Sequence, residues 1–86
     1  MQLINIGFNN MVNGDGIVSV VSTDAAPIKR MIQTARDEGK AVDATCGRRT
    51  RTVLVMDSGH LVLSALTTET IAARCQNNWG EDKKHG

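Results

Sequence analysis

Two apolar runs, residues 51–57 and 60–66, are separated by nothing longer than Ser58-Gly59, and this constrains the chain more than any other feature. A two-residue connection containing glycine turns one run back on the other as an antiparallel hairpin, so the fold is built on a sheet. Residues 17–22 form a third run, rich in β-branched side chains, whose apolar residues fall on both parities. Both faces of that strand are expected to be covered. Residues 3–8 alternate, with Ile4, Ile6 and Phe8 on one side and Asn5 and Gly7 on the other, the pattern of a half-buried strand. Asn13-Gly14 and Asp15-Gly16 are placed to supply the positive φ of a tight hairpin, with Met11-Val12 as a short extension. Residues 41–45 add one more short strand.

Helical patterning occurs in two places. Asp24 is a candidate N-cap for a helix whose first turn accepts Pro27, because the missing amide has no intrahelical partner there. Ile28, Met31, Ile32 and Ala35 then recur at helical spacing as a buried stripe, and Gly39 ends the helix just after Glu38. Lys29 and Arg30 fall near the positive end of the helix dipole, a mildly unfavourable place for cations. Thr67 caps a short last helix carrying Ile71, Ala72 and Cys75, after which residues 77–86 lose periodicity and read as a flexible polar tail. The expected fold class is α+β: a mainly antiparallel sheet with one main helix and a short C-terminal helix. At 86 residues this is one domain, residues 1–76. So small a domain buries only roughly 60 to 65 per cent of its unfolded surface, and self-association would help it.

The most chemically pointed segment is Asp43-Ala44-Thr45-Cys46-Gly47-Arg48-Arg49-Thr50-Arg51, where a strand breaks at a glycine and releases three arginines. A guanidinium is charged at every relevant pH, and its planar fork of donors matches phosphate or carboxylate oxygens. The net charge of +1 hides an uneven distribution. Between Lys29 and Arg51 there are seven basic residues against Asp37, Glu38 and Asp43, so that segment carries +4 and the remainder −3. One face could attract a polyanion. Taken alone, the cluster equally fits a solvated turn. Only Phe8 and Trp79 are aromatic, which argues against stacking of successive unpaired bases.

Enzyme signatures are missing. A thiolate phosphate-binding loop places an arginine six positions after its cysteine, and the sixth residue after Cys46 is Thr52. No histidine near Cys46 in the sequence offers a base, so the thiol reads as a buried or half-buried side chain. His60 and His85 make no ligand spacing with Cys46 or Cys75, so neither a metal site nor a disulfide framework is expected. The residues around Asn13 lack the pattern of a dinucleotide fingerprint, and no phosphate-loop lysine occurs. No catalytic residue and no cofactor is assigned. No charged segment followed by an apolar one marks secretion, and no apolar run approaches the roughly 20 residues that span a bilayer. The expected location is the cytoplasm.

Ile4-Asn5-Ile6-Gly7-Phe8, then Ala26-Pro27-Ile28-Lys29-Arg30, Ala35-Arg36-Asp37, Asp43-Ala44-Thr45, Gly47-Arg48-Arg49-Thr50-Arg51, Val55-Met56-Asp57-Ser58 and Leu63-Ser64-Ala65 together resemble the RemA family of bacterial extracellular-matrix regulators. The likeness runs from residue 2 to about residue 75. It implies a transcriptional activator of biofilm-matrix genes that binds double-stranded DNA, with a LytTR-like protomer closed into a homo-oligomeric ring of seven or eight subunits. The resemblance carries DNA contact to Arg48 and Arg49, and to Arg51 of the same motif, and implies association with the nucleoid. Cys46 and the glycine-rich stretch 13–16 depart from the family pattern. The competing reading is a protein-interaction module whose arginines meet an acidic partner or a phosphorylated ligand.

Overall fold

The computed structural model describes residues 2–24 and 27–85, with side chains as far as Gln76 in the last helix. In chain order the elements are β1 (Leu3–Asn5), β2 (Met11–Asn13), a single 3-10 turn (Gly14–Gly16), β3 (Ile17–Ser22), α1 (Ile28–Asp37), β4 (Ala41–Asp43), β5 (Thr52–Met56), β6 (Leu61–Ser64) and α2 (Thr68–His85). The expected α+β class holds. Strands β1 and β2 make a two-stranded ribbon, and the other four form one sheet in the order β3-β5-β6-β4.

Pairing is antiparallel throughout except between β4 and β6, which run parallel with Val42 opposite Val62. It follows that β3, β6 and β4 share one direction, and that α1 carries the chain across the sheet from one edge to the other. The carboxyl ends of those three strands, and the amino end of β5, therefore lie along one border.

Alternation in the central strands decides the layers. Val53, Leu61 and Leu63 pack against Ile28 and Ala35 of α1, while Leu54 and Val62 pack on the opposite face with Ile4, Ile6 and Ala44 and with Ile71 of α2. Each face thus has its own aliphatic core, with the ribbon and α2 covering one and α1 the other. Edge strand β3 carries an irregularity between Ile17 and Ser19. An extra residue there turns Val18 outward, where it is 67% exposed.

Several local expectations are corrected. The ribbon turns at residues 7–10, where Phe8 (φ 53) and Asn9 (φ 62) both hold positive φ. The Asn10 amide donates to the Gly7 carbonyl at 2.9 Å, completing a type I′ turn. Asn13 instead caps the 3-10 turn by accepting from the Asp15 amide. Gly14 is needed for close approach, because a Cβ there would lie 2.8 Å from Ile4 Cδ1.

Between Met56 and His60, which close the β5–β6 hairpin, the loop is Asp57, Ser58 and Gly59, one residue more than expected. Gly59 donates to the Met56 carbonyl at 3.0 Å with φ 90, and the Met56 amide donates to the His60 carbonyl. This is a three-residue loop closed by a left-handed glycine. Helix α1 starts after Asp24: its N-cap is Pro27, with no side-chain cap bond. Gly39 (φ 73) follows the C-cap Glu38, as the sequence implies. Within the expected stripe Ile28 and Ala35 are buried, but Met31 is 40% exposed. Thr67 does cap α2, its hydroxyl accepting from the Thr70 amide at 3.2 Å. The helix then runs for 18 residues, longer than the short segment expected.

Candidate functional site

The arginine segment leaves the sheet at the shared border, between the end of β4 and the start of β5. Asp43 begins it by accepting at Oδ1 from both the Thr45 hydroxyl (2.6 Å) and the Thr45 amide (2.9 Å). The Thr45 hydroxyl, then its N–H, hold the Asp43 carboxyl below its ordinary pKa; slight burial opposes this and the charge of Arg36 assists. Thr45 itself is 2% exposed, so the chain is anchored one residue before it emerges.

The bend follows at once. Cys46 (φ 52) and Gly47 (φ 80) occupy the left-handed region, and the Arg48 amide donates to the Thr45 carbonyl at 3.0 Å. Two successive positive φ values closed by that bond make a second type I′ turn. Cys46 is exposed at its tip, not buried or half-buried as its residue type suggested.

On the far side the chain is anchored again. The Arg51 amide donates to the Ser64 carbonyl at 2.9 Å, and its own carbonyl accepts from the Thr23 amide at 3.2 Å. The Thr52 hydroxyl donates to the Leu66 carbonyl at 2.7 Å and lies 3.2 Å from the hydroxyl of Thr68. Both ends of the segment are thereby fixed by the sheet. Only the bend and its arginines project.

All three predicted arginines are exposed. Among the described residues none makes an ion pair. They divide between two neighbourhoods. The Arg48 guanidinium lies over the Phe8 ring, 5.6 Å from its centroid, at the tip of the β1–β2 ribbon. Arg49 and Arg51 line a cleft of ≈ 480 Å³ together with Ser22, Thr23, Asp24, Thr67, Thr68 and Glu69. This cleft includes the first turn of α2, whose unpaired amides favour negative charge. Asp24 and Glu69 already supply some, so the cleft is a wall of mixed charge and not a closed anion pocket. Three permanently charged forks on one anchored bend can engage oxygens spaced along an extended polyanion.

Phe8 under Arg48, and Ser22, Thr23, Asp24, Thr67, Thr68 and Glu69 beside Arg49 and Arg51, are the members of this site that sequence reasoning missed. No spacing rule links them to the arginines; the sheet border brings them together. No cluster of three or more metal-ligating side chains occurs among the described residues, and no helix in them is long and apolar enough to cross a membrane.

The protein-family model described as extracellular matrix regulatory protein A-like matches residues 3–75. The chain belongs to the RemA-like family. It is similar to the extracellular matrix regulatory protein A of Bacillus subtilis, with 58% identity over 74 residues, covering 86% of this chain and 83% of that protein. A protein of Dictyoglomus thermophilum named as regulatory is 53% identical over 85 residues, covering 99% of this chain and all of its own length, 100%. A similarly named protein of Acaryochloris marina is 56% identical over 78 residues, covering 91% of this chain and 89% of its own. The stretch matched by the RemA-like family contains the ribbon, the arginine bend and the first turns of α2, so the whole candidate site lies inside it.

Proposed function

We propose that this RemA-like protein is a cytoplasmic, nucleoid-associated transcriptional regulator that binds double-stranded DNA and activates extracellular-matrix genes. Arg48, Arg49 and Arg51 donate to backbone phosphates or enter a narrow minor groove, with little reading of base edges. The observation that carries this reading is the anchored type I′ bend with three exposed arginines that make no ion pair among the described residues.

One protomer neutralises at most about three phosphates through this loop, a log-log salt slope of about −2.7 and too little for tight binding at physiological salt. Repetition is therefore part of the proposal: a LytTR-like protomer closes with copies of itself into a ring of seven or eight, and DNA bends to follow the loops. One feature of the sheet supports it. The sheet has unlike open edges, β3 with Val18 67% exposed and β4 with Val42 47% exposed. Head-to-tail assembly joins unlike surfaces and closes by rotation.

The test is retention of duplex DNA of about 30 base pairs, read with native mass. Arg48→Ala combined with Arg49→Ala is expected to abolish retention at unchanged oligomer mass, and the wild-type salt slope is expected to exceed in magnitude the value for three phosphates. Retention by the double variant would remove this loop from the mechanism.

A further inference from the structure

At the ribbon tip an aromatic side chain sits where aromatics are rarely tolerated. Phe8 holds φ 53 and is followed by Asn9 at φ 62, so two L-residues in succession occupy the left-handed region. Burial does not compensate, because Phe8 remains 47% exposed. Its one ring partner among the described residues is the Arg48 guanidinium at 5.6 Å. Backbone strain that packing does not explain is a pointer to function.

The tip is also held in place. Asn10 Nδ2 donates to the Gly7 carbonyl at 3.0 Å and to the Ala44 carbonyl at 3.4 Å, tying the turn to the strand that leads into the arginine bend. Ser64 Oγ donates to the Ile6 carbonyl at 2.7 Å, and Arg74 Nη1 donates to the Asn5 carbonyl at 2.7 Å. The backbone that carries the ring is therefore tied to the segment that leads into the Arg48 bend. The contact uses no hydrogen-bond acceptor, and the Arg48 guanidinium makes no hydrogen bond among the described residues, so its N–H donors remain available to an oxygen acceptor. A side chain already restrained in this way loses less rotamer freedom on binding.

We propose that the ribbon tip is a second element of the DNA contact surface, with Phe8 a positioning residue whose ring face holds the Arg48 guanidinium ready for a phosphate oxygen. This inference rests on the DNA-binding reading above. It makes the interface composite, one part contributed by the arginine bend and one by a turn remote from it in the chain.

Duplex-DNA titrations of the full chain with Phe8→Tyr, Phe8→Leu and Phe8→Gly test it, with native mass and thermal midpoint recorded for each. Phe8→Gly removes the ring while relieving the backbone, so it keeps the turn if Phe8→Leu does not. Phe8→Leu and Phe8→Gly are expected to weaken binding by at least about twofold, the fold-change matching one exposed cation–π contact, at unchanged oligomer mass. Phe8→Tyr is expected to bind as the wild type does, and Phe8→Leu to have no further effect once Arg48 is alanine. Equal loss from Phe8→Leu in both backgrounds, no loss at all, or loss only together with oligomer mass overturns the inference. If Arg49→Ala weakens binding and Phe8→Leu does not, this inference alone falls; if the wild type retains no duplex DNA, the proposed function falls with it.

Discussion

Replacing Cys46 with asparagine should stabilise this protein, which tests the geometry on which the site depends. Cys46 is exposed, holds φ 52 and makes no side-chain hydrogen bond, ion pair or disulfide among the described residues, so its replacement breaks none. An L-residue in the left-handed region costs about 1–2 kcal/mol, and asparagine bears part of that cost through its local hydrogen bonding. With Gly47 following, Cys46→Asn creates the Asn-Gly pair preferred in type I′ turns, and a gain of about 0.5–1 kcal/mol is expected. In a domain of this size that corresponds to a rise in Tm of about 2–8 °C. Cys46→Val is the opposing control, since a β-branched side chain at positive φ should lower stability by about 1 kcal/mol or more. Urea and thermal unfolding at one fixed protein concentration read both effects, because assembly makes the midpoint depend on concentration. A lower midpoint for Cys46→Asn, or an unchanged one for Cys46→Val, would mean that residues 45–48 do not form this turn. The placement of Arg48 would then fall with it.

Asp43→Asn keeps the Oδ1 acceptor for Thr45 but removes the charge. The folded pKa of Asp43 is depressed, so its contribution is present above the unfolded carboxylate value and is lost as pH falls through the folded one. Tm measured against pH should therefore fall less steeply below about pH 4 in the variant than in the wild type, and identical profiles would contradict the assignment. Ser64→Ala removes a buried hydroxyl that donates to the Ile6 carbonyl and accepts from the Leu66 amide, leaving both without that partner. A loss of about 1–3 kcal/mol in urea unfolding is expected, and a neutral result would show that the ribbon is not held to the sheet through this bond.

Elements whose signal is local were legible in the chain itself. The β5–β6 pairing follows from two apolar runs with a glycine between them, and the Thr67 cap and the stop at Gly39 follow from side chains acting on their own backbone. Turn positions were misread where composition and contact diverge. Gly14 looked like a source of positive φ, yet it is there because Ile4 packs against it, while the true ribbon turn uses Phe8 and Asn9, of which only the asparagine is a residue type that favours positive φ. Asp24 looked like a cap, but α1 begins only after Pro27.

The residue order alone determined that permanent positive charge would be concentrated on one glycine-containing bend, because charge and turn propensity are properties of neighbouring residues. Tertiary structure decided what stands beside that bend. The parallel pairing of β4 with β6 aligns the strand ends, and this brings the first turn of α2 and Thr23 beside Arg49 and Arg51; the ribbon sets Phe8 under Arg48. Such neighbours come from hydrogen-bond register and from packing on two faces of one sheet, and both are long-range.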